Sequence, residues 1–565
     1  MNAILRRDFL KLLLASGTLG AGTLNGIPSF SAQQSFRPDL IDVHAHLFNA
    51  TDIPVRSFLK TVVFEHYSEQ DTERLLDFGV PDTVNWLISL FVWVVAGRAP
   101  TARDEITHLA ALAPRTDPAI AIEDSARITK ERLSTFMQQL EGRGSQTELQ
   151  LPLPSGKSKL GRERFRLALK RAAADGARDP GALSVDQFDA DAAFLSPTDV
   201  GTYLRWFNLF TLYRHTLAAQ LVQSYRENEV RPLLIAPALV NYSRWLDEKV
   251  TSSFEDQVEV MGLVSRQAKD TLIHGYVCYD PLAQVYFRRG FKDYRDQLAL
   301  IKSAVEDHGF IGVKLYPPMG FKPLRNERGQ LYPKPILDEL GSRLSEDLNE
   351  AMDQLFNLCT QLDIPVLAHA AASNSAGPKY SDRGDPAFWL PVFAKYPKLR
   401  LCLAHFGRFS YRSAAAPPGS SLPESSWEWT LGRHIRRNPD NRLYADLSYL
   451  TEVQTQDKLD RQTVGRQLRQ YVSEFDPKLD RLVFGSDWIM LGKEPRSAEY
   501  AVDVIAFLKS EVGIKSQTTM DRVMRFNAVR FLGLAPGNQT RERLVSFYKR
   551  YELDDRRLEV FDQIH

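Results

Sequence analysis

The 565-residue chain has little cysteine, almost no net charge and no long hydrophobic run. Its three cysteines, Cys278, Cys359 and Cys402, are odd in number and lack CxxC spacing. That excludes a disulfide framework and a thiolate zinc site, and leaves them as small buried hydrophobes. Lys plus Arg (71) and Asp plus Glu (70) nearly cancel, giving a formal charge of +1. No global field therefore draws the chain to nucleic acid or to an anionic membrane, and a small-molecule substrate is the partner expected. The most apolar stretch, 86–95, is too short to cross a bilayer, so no transmembrane helix is expected in the mature chain and the stretch is read as a buried helix.

The N-terminus carries Arg6-Arg7-Asp8-Phe9-Leu10-Lys11, which resembles the twin-arginine export motif, with Leu5 where Ser or Thr is usual. A modestly apolar stretch over 12–24 and small residues over 29–32 follow, the order of an export signal with its cleavage site. Residues 1–32 are therefore expected to engage export machinery and to place the protein in the periplasm or otherwise outside the cytoplasm.

From Leu40 onward short apolar runs alternate with helical patterns, the signature of βαβ units and a parallel sheet. Strands are expected at 40–46, 233–240, 273–279, 311–316, 365–369, 399–405, 443–448 and 482–487. Eight such units close a TIM-like (β/α)8 barrel of the α/β class, built from 38–50 and 232–535. Between the first two strands lies an insertion, 51–231, far longer than an ordinary βα loop. Its periodicity is helical over 86–95 and 206–221, so a mainly helical insertion roofing the barrel mouth is expected. Residues 155–161 and 413–426 read as surface loops, and 536–565 as a C-terminal extension.

Alternation along Leu40-Ile41-Asp42-Val43-His44-Ala45-His46 sends Asp42, His44 and His46 to one face. Two imidazoles on one strand face can share a metal ion. The runs ending at His369 and His405, and the run ending at Asp487, follow the same pattern of an apolar strand that stops at a ligating side chain. Barrel enzymes place their sites at that end of the strands. His66, His108, His215, His274, His308, His434 and His565 lack such placement and read as surface or packing histidines.

Asp42-Val43-His44-Ala45-His46, His369, His405 and Gly485-Ser486-Asp487-Trp488 together resemble the amidohydrolase superfamily, in its amidohydrolase-related branch of metal-dependent hydrolases and non-oxidative decarboxylases. Tyr444-Ala445-Asp446-Leu447-Ser448 and the segment 526–534 are softer matches, and the insertion matches nothing in the family. The resemblance implies one divalent ion, zinc foremost, on His44, His46, His369 and Asp487, with His405 and Asp487 catalytic. Such an ion lowers the pKa of bound water to about 7. Lys314 is implied either as a carbamylated bridge to a second ion, as a substrate anchor or as the partner of a barrel acid. Arg408 is either a substrate-carboxylate ligand or a surface charge.

Three functions follow. The first is metal-dependent hydrolysis of a carbon-nitrogen or carbon-oxygen bond in a small carbonyl compound. The second is non-oxidative decarboxylation of an aromatic or unsaturated acid at the same centre, and the third an exported metal-binding scaffold without catalysis. The presence of all five polar strand-end residues argues against the scaffold.

Overall fold

The computed structural model describes residues 38–64, 88, 90–95, 97–110, 125, 127–129, 131–132, 197–371, 376, 378–405, 421–455, 458–494 and 496–562. The export segment, the 155–161 loop, most of 413–426, Arg408, His66 and His565 lie outside them.

Among the described residues nine parallel strands follow one another, with helices between all of them except β3 and β4: β1 (Asp39–Ala45), β2 (Arg231–Pro237), β3 (Leu272–Ile273), β4 (Tyr276–Cys278), β5 (Gly312–Leu315), β6 (Val366–His369), β7 (Arg400–Ala404), β8 (Arg442–Asp446) and β9 (Leu482–Val483). They pair in chain order as β1-β2-β3 and as β4 through β9. Parallel bridges continue the arrangement at both seams, Ala238 to Tyr276 and Ala45 to Trp488. At the second seam Val43 N also donates to Phe484 O (3.1 Å), bringing the last strand back to the first. This is the expected TIM-like (β/α)8 arrangement with one correction: the single strand expected at 273–279 is two short strands. A Cβ at Gly275 would stand 2.6 Å from Pro237 O, so the backbone passes too close for any side chain. His274, between the two strands, keeps its backbone N–H on Ile235 O (3.2 Å) and turns its Nδ1 to Gly309 O (2.8 Å) and its Nε2 to the Tyr548 hydroxyl (3.2 Å).

The crossover helices form for ordinary reasons. Ser253 caps Phe254–Gln267 by accepting from Asp256 N, acids fill its first turn, and Val258, Met261 and Val264 recur at helical spacing on the buried side. Leu344–Gln361 buries Leu348, Met352, Leu355 and Cys359 in the same way. One core joins the strands to these helices. A second joins Ile41, Val43, Leu234, Cys402 and Tyr444 to Phe531, Phe547 and Tyr548, so helix Gln539–Arg550 of the C-terminal extension packs into the domain. All three cysteines are free and buried.

Within the insertion, helices Pro197–Leu209 and Arg214–Glu227 cover the expected 206–221 pattern with a break between them. Residues 90–95 are helical, and Phe91 sits edge-on to Phe207 (4.7 Å) and Phe210 (5.1 Å), inside protein. Among the described residues no helix is long and apolar enough to cross a membrane. Trp206 Nε1 ties the insertion to the barrel mouth by donating to Ile489 O (2.8 Å), two residues beyond Asp487. Within the insertion, buried Arg214 donates from Nε to Asp52 Oδ2 (3.0 Å) and from Nη1 to Glu105 Oε2 (2.9 Å).

Candidate metal centre

His44 and His46 meet at the C-terminal end of β1, their ring centroids 5.3 Å apart. His44 Nε2 and His46 Nε2 converge on Asp487 Oδ1, at 3.4 and 3.2 Å. The three residues offer ligand atoms within 4.8 Å of one another, and so do His44, His405 and Asp446.

The outer nitrogens show why the inner ones are available. His46 Nδ1 donates to Ala238 O (2.8 Å). His44 Nδ1 faces Asp446 Oδ2 (3.1 Å) and Ser448 Oγ (3.0 Å). Ser448 Oγ gives its single proton to Asp446 Oδ1 (2.5 Å), so it receives from His44 Nδ1 and from His405 Nδ1 (2.9 Å). His405 Nε2 then carries a lone pair toward His369 Nδ1 (3.1 Å). This network assigns the protonated Nδ1 tautomer to His44, His46 and His405, with lone pairs turned inward. Outer-nitrogen anchoring of this kind orients metal-binding imidazoles and raises their basicity.

The electrostatics agree. Burial keeps His44 below the usual imidazole range and pushes His405 down to about 4, so both stay neutral at pH 7. Burial works against ionising Asp446 and Asp487, but the neighbouring histidines outweigh it, with hydrogen bonds from His44 and Ser448 adding to the effect at Asp446; both remain carboxylates. Neutral nitrogens and ionised oxygens are what a borderline cation such as zinc takes, so the donor set fits a divalent ion.

Lys314, 1% exposed on β5, donates from Nζ to His44 Nε2 (2.8 Å), and burial pulls its ammonium down to about 8. It belongs to the centre itself, beside the strand-end acids. His369 is not part of the 4.8 Å cluster; it faces His405, and Tyr316 stacks on its ring at 4.2 Å.

Asp42, Asp446, Ser448 and the Ala238 carbonyl had no assigned role in the sequence reading. Asp446 ends an apolar strand just as His369 does, so the same strand-end rule would have found it. Asp42 accepts from Ser486 Oγ and the Tyr225 hydroxyl, both 2.7 Å, and from Ser486 N (3.0 Å), locking β1 to the turn that carries Asp487. Gly485 permits that turn, since a Cβ there would stand 2.8 Å from His44 Cβ. A backbone carbonyl such as that of Ala238 leaves no mark in a sequence.

A parallel barrel presenting four histidines, two carboxylates and a lysine at one mouth defines an enzyme scaffold with a candidate metal centre. Residues 287–534 match the model of the Amidohydrolase family, and the protein is an enzyme. The matched segment takes in Lys314, His369, His405, Asp446 and Asp487, while His44 and His46 precede it. No curated protein matches the chain. Solved structures resemble it at low similarity. They include an uncharacterised TIM-barrel protein from Bordetella bronchiseptica, with 15% identity over 57% of this chain and 83% of that one and a TM-score of 0.35. Another is 4-oxalomesaconate hydratase from Rhodopseudomonas palustris, with 14% identity, 69% and 96% coverage and a TM-score of 0.36. A third is a zinc-bound amidohydrolase from Burkholderia multivorans, with 13% identity, 56% and 87% coverage and a TM-score of 0.33. None of these bears on what this chain acts on.

Proposed function

We propose that the protein is a hydrolase that cleaves a carbon-nitrogen or carbon-oxygen bond in a small carbonyl compound such as a cyclic amide, lactone or ester. His44, His46, His369 and Asp487 are the proposed metal-binding set, with His405 and Asp487 as catalytic residues. The observation that carries this reading is the convergence of two inward imidazole lone pairs on ionised Asp487, at 3.4 and 3.2 Å. A divalent ion bound there, zinc foremost, supplies Lewis acidity and acidifies a water molecule. Asp487 accepts a proton from the attacking water and passes it to the departing nitrogen or oxygen. His405 starts neutral with a bare Nε2, so it polarises the substrate carbonyl only after taking up a proton. Elemental analysis of wild type, His44→Ala and Asp487→Ala tests the site. One ion per chain, lost in both variants, is expected; a folded wild-type protein that takes up no metal would refute the reading. A second ion would make Lys314 a bridging ligand.

Decarboxylation of an aromatic or unsaturated acid draws on Arg383. This arginine, 8% exposed, lies on the segment following β6. Among the described residues its Nη1 reaches the adjacent Asp382 (3.4 Å) and its Nε bonds to none. A buried cation so poorly matched suits a substrate carboxylate. Release of carbon dioxide from aryl acids would select this reading over hydrolysis. Residues 1–32 are read as an export signal, which supports a periplasmic setting for either reaction, with the helical insertion 51–231 over the mouth.

A further inference from the structure

Ring contacts continue from the metal centre into the insertion and back. From His46 they pass through Phe48 (5.6 Å), Phe58 (6.0 Å), Tyr242 (6.1 Å) and Tyr316 (5.3 Å) to His369 (4.2 Å). His405 and His44 complete the circuit on the other side. One arc therefore consists of imidazoles and the other of hydrocarbon faces carrying two phenols.

Tyr242 is the member of that second arc with an uncommitted polar atom. It follows β2 on the same loop whose Ala238 carbonyl orients His46. Its ring lies parallel to Phe58 (9°), meets Tyr316 edge-on (74°) and is 4% exposed. No hydrogen bond from a described residue engages its hydroxyl. Burial, with the charges of Tyr316, Cys278 and Asp487 adding to it, holds the phenol well above its usual range, so it is a permanent donor within reach of the field of Asp487.

Among the other groups of the centre Asp446 and Asp487 only accept, the Nδ1 protons of His44, His46 and His405 are spent outward, and Lys314 spends one of its three protons on His44. Hydrolysis builds negative charge on the carbonyl oxygen, which needs a fixed donor aimed at it in a water-poor site. We propose that the Tyr242 hydroxyl is a substrate-binding residue that donates to the carbonyl oxygen of the substrate, with Phe58 and Tyr316 fixing its ring. This rests on the metal-dependent reading of the site.

The test uses the zinc-loaded full chain and acetohydroxamate, a small carbonyl ligand that binds metals, titrated calorimetrically into wild type and Tyr242→Phe. The substitution keeps the ring and its stack on Phe58, so a purely structural role would leave the affinity unchanged. The expected result is unaltered zinc content with acetohydroxamate bound about tenfold more weakly, the loss of one hydrogen bond. Equal affinities, loss of zinc in Tyr242→Phe, or zinc-loaded wild type that does not bind the probe would each overturn the assignment. Wild type that holds no zinc at all would instead overturn the metal-dependent reading on which it rests.

Discussion

Replacing Asp446 with Asn should disable the centre without removing any proposed ligand. Asp446 Oδ1 accepts from His405 N (2.8 Å) and Ser448 N (3.0 Å), and Oδ2 accepts from His44 Nδ1 (3.1 Å). An asparagine must keep its oxygen toward the two backbone donors, because turning its amide over would set an NH2 group against both. Its nitrogen then faces His44 Nδ1. The His44 Nδ1 proton then meets an N–H group and keeps only Ser448 Oγ (3.0 Å) as acceptor, which disfavours the tautomer with a lone pair on Nε2, the atom that points at Asp487. Outer partners of metal-binding histidines are worth roughly 10- to 100-fold in metal affinity, or about 1.4–2.7 kcal/mol, and a disfavoured tautomer belongs at the upper end. Chelator competition on purified Asp446→Asn, with circular dichroism to confirm the fold, measures it. Asp280→Asn is the control, since Asp280 is equally buried but serves Trp245 Nε1 (2.9 Å) and Leu282 N (2.9 Å) away from the centre. Wild-type zinc affinity in Asp446→Asn would show that His44 does not bind metal through Nε2.

Two further outcomes are expected. Arg214→Ala would leave Asp52 and Glu105 as poorly paired buried charges and lower stability by about 3–5 kcal/mol, read from urea unfolding; a loss below about 1 kcal/mol would mean these pairs do not hold the parts of the insertion together. His274 is pushed down to about 4 by burial, so between there and about 6.5 the unfolded chain binds the extra proton and stability falls as pH falls. The full effect is about 3 kcal/mol, complete above pH 6.5; urea midpoints at pH 7.5 and 5.0 should therefore separate wild type from His274→Asn, and parallel declines would contradict it.

Much of this was legible in the sequence because strand ends obey a simple rule. Alternation on β1 sends Asp42, His44 and His46 one way, and an apolar strand that stops at a polar residue delivers it to the mouth. What escaped the rule has no periodic signature. The third strand breaks at Gly275 because of a carbonyl on a neighbouring strand, a contact that no local pattern encodes. Tyr242 lies four residues past the Ala238 carbonyl in a loop, where alternation no longer applies, and its partners come from elsewhere, Phe58 from the helical turn Phe58–Phe64 and Tyr316 from just past β5.

The strand-end rule also hides how the side chains are held. His405 and Asp487 both adopt left-handed backbone, with φ of 64° and 59°, an arrangement that costs a residue with a side chain about 1–3 kcal/mol. Neighbouring groups stabilise each of them. Asp446 Oδ1 takes the His405 amide, while His44 O takes the amides of Ser486 (3.1 Å) and Asp487 (2.7 Å). The backbone of one proposed ligand therefore fixes the turn that carries another, and the carboxylate that orients His44 also holds the strained amide of His405. Backbone hydrogen bonds thus set the angles of the centre, and substitutions confined to ligand side chains should empty it of metal while leaving its shape intact. Asp446, which serves both shape and tautomer, is where the two effects cannot be separated by deletion, and it is the Asn substitution, sparing the Oδ1 bonds, that isolates the second.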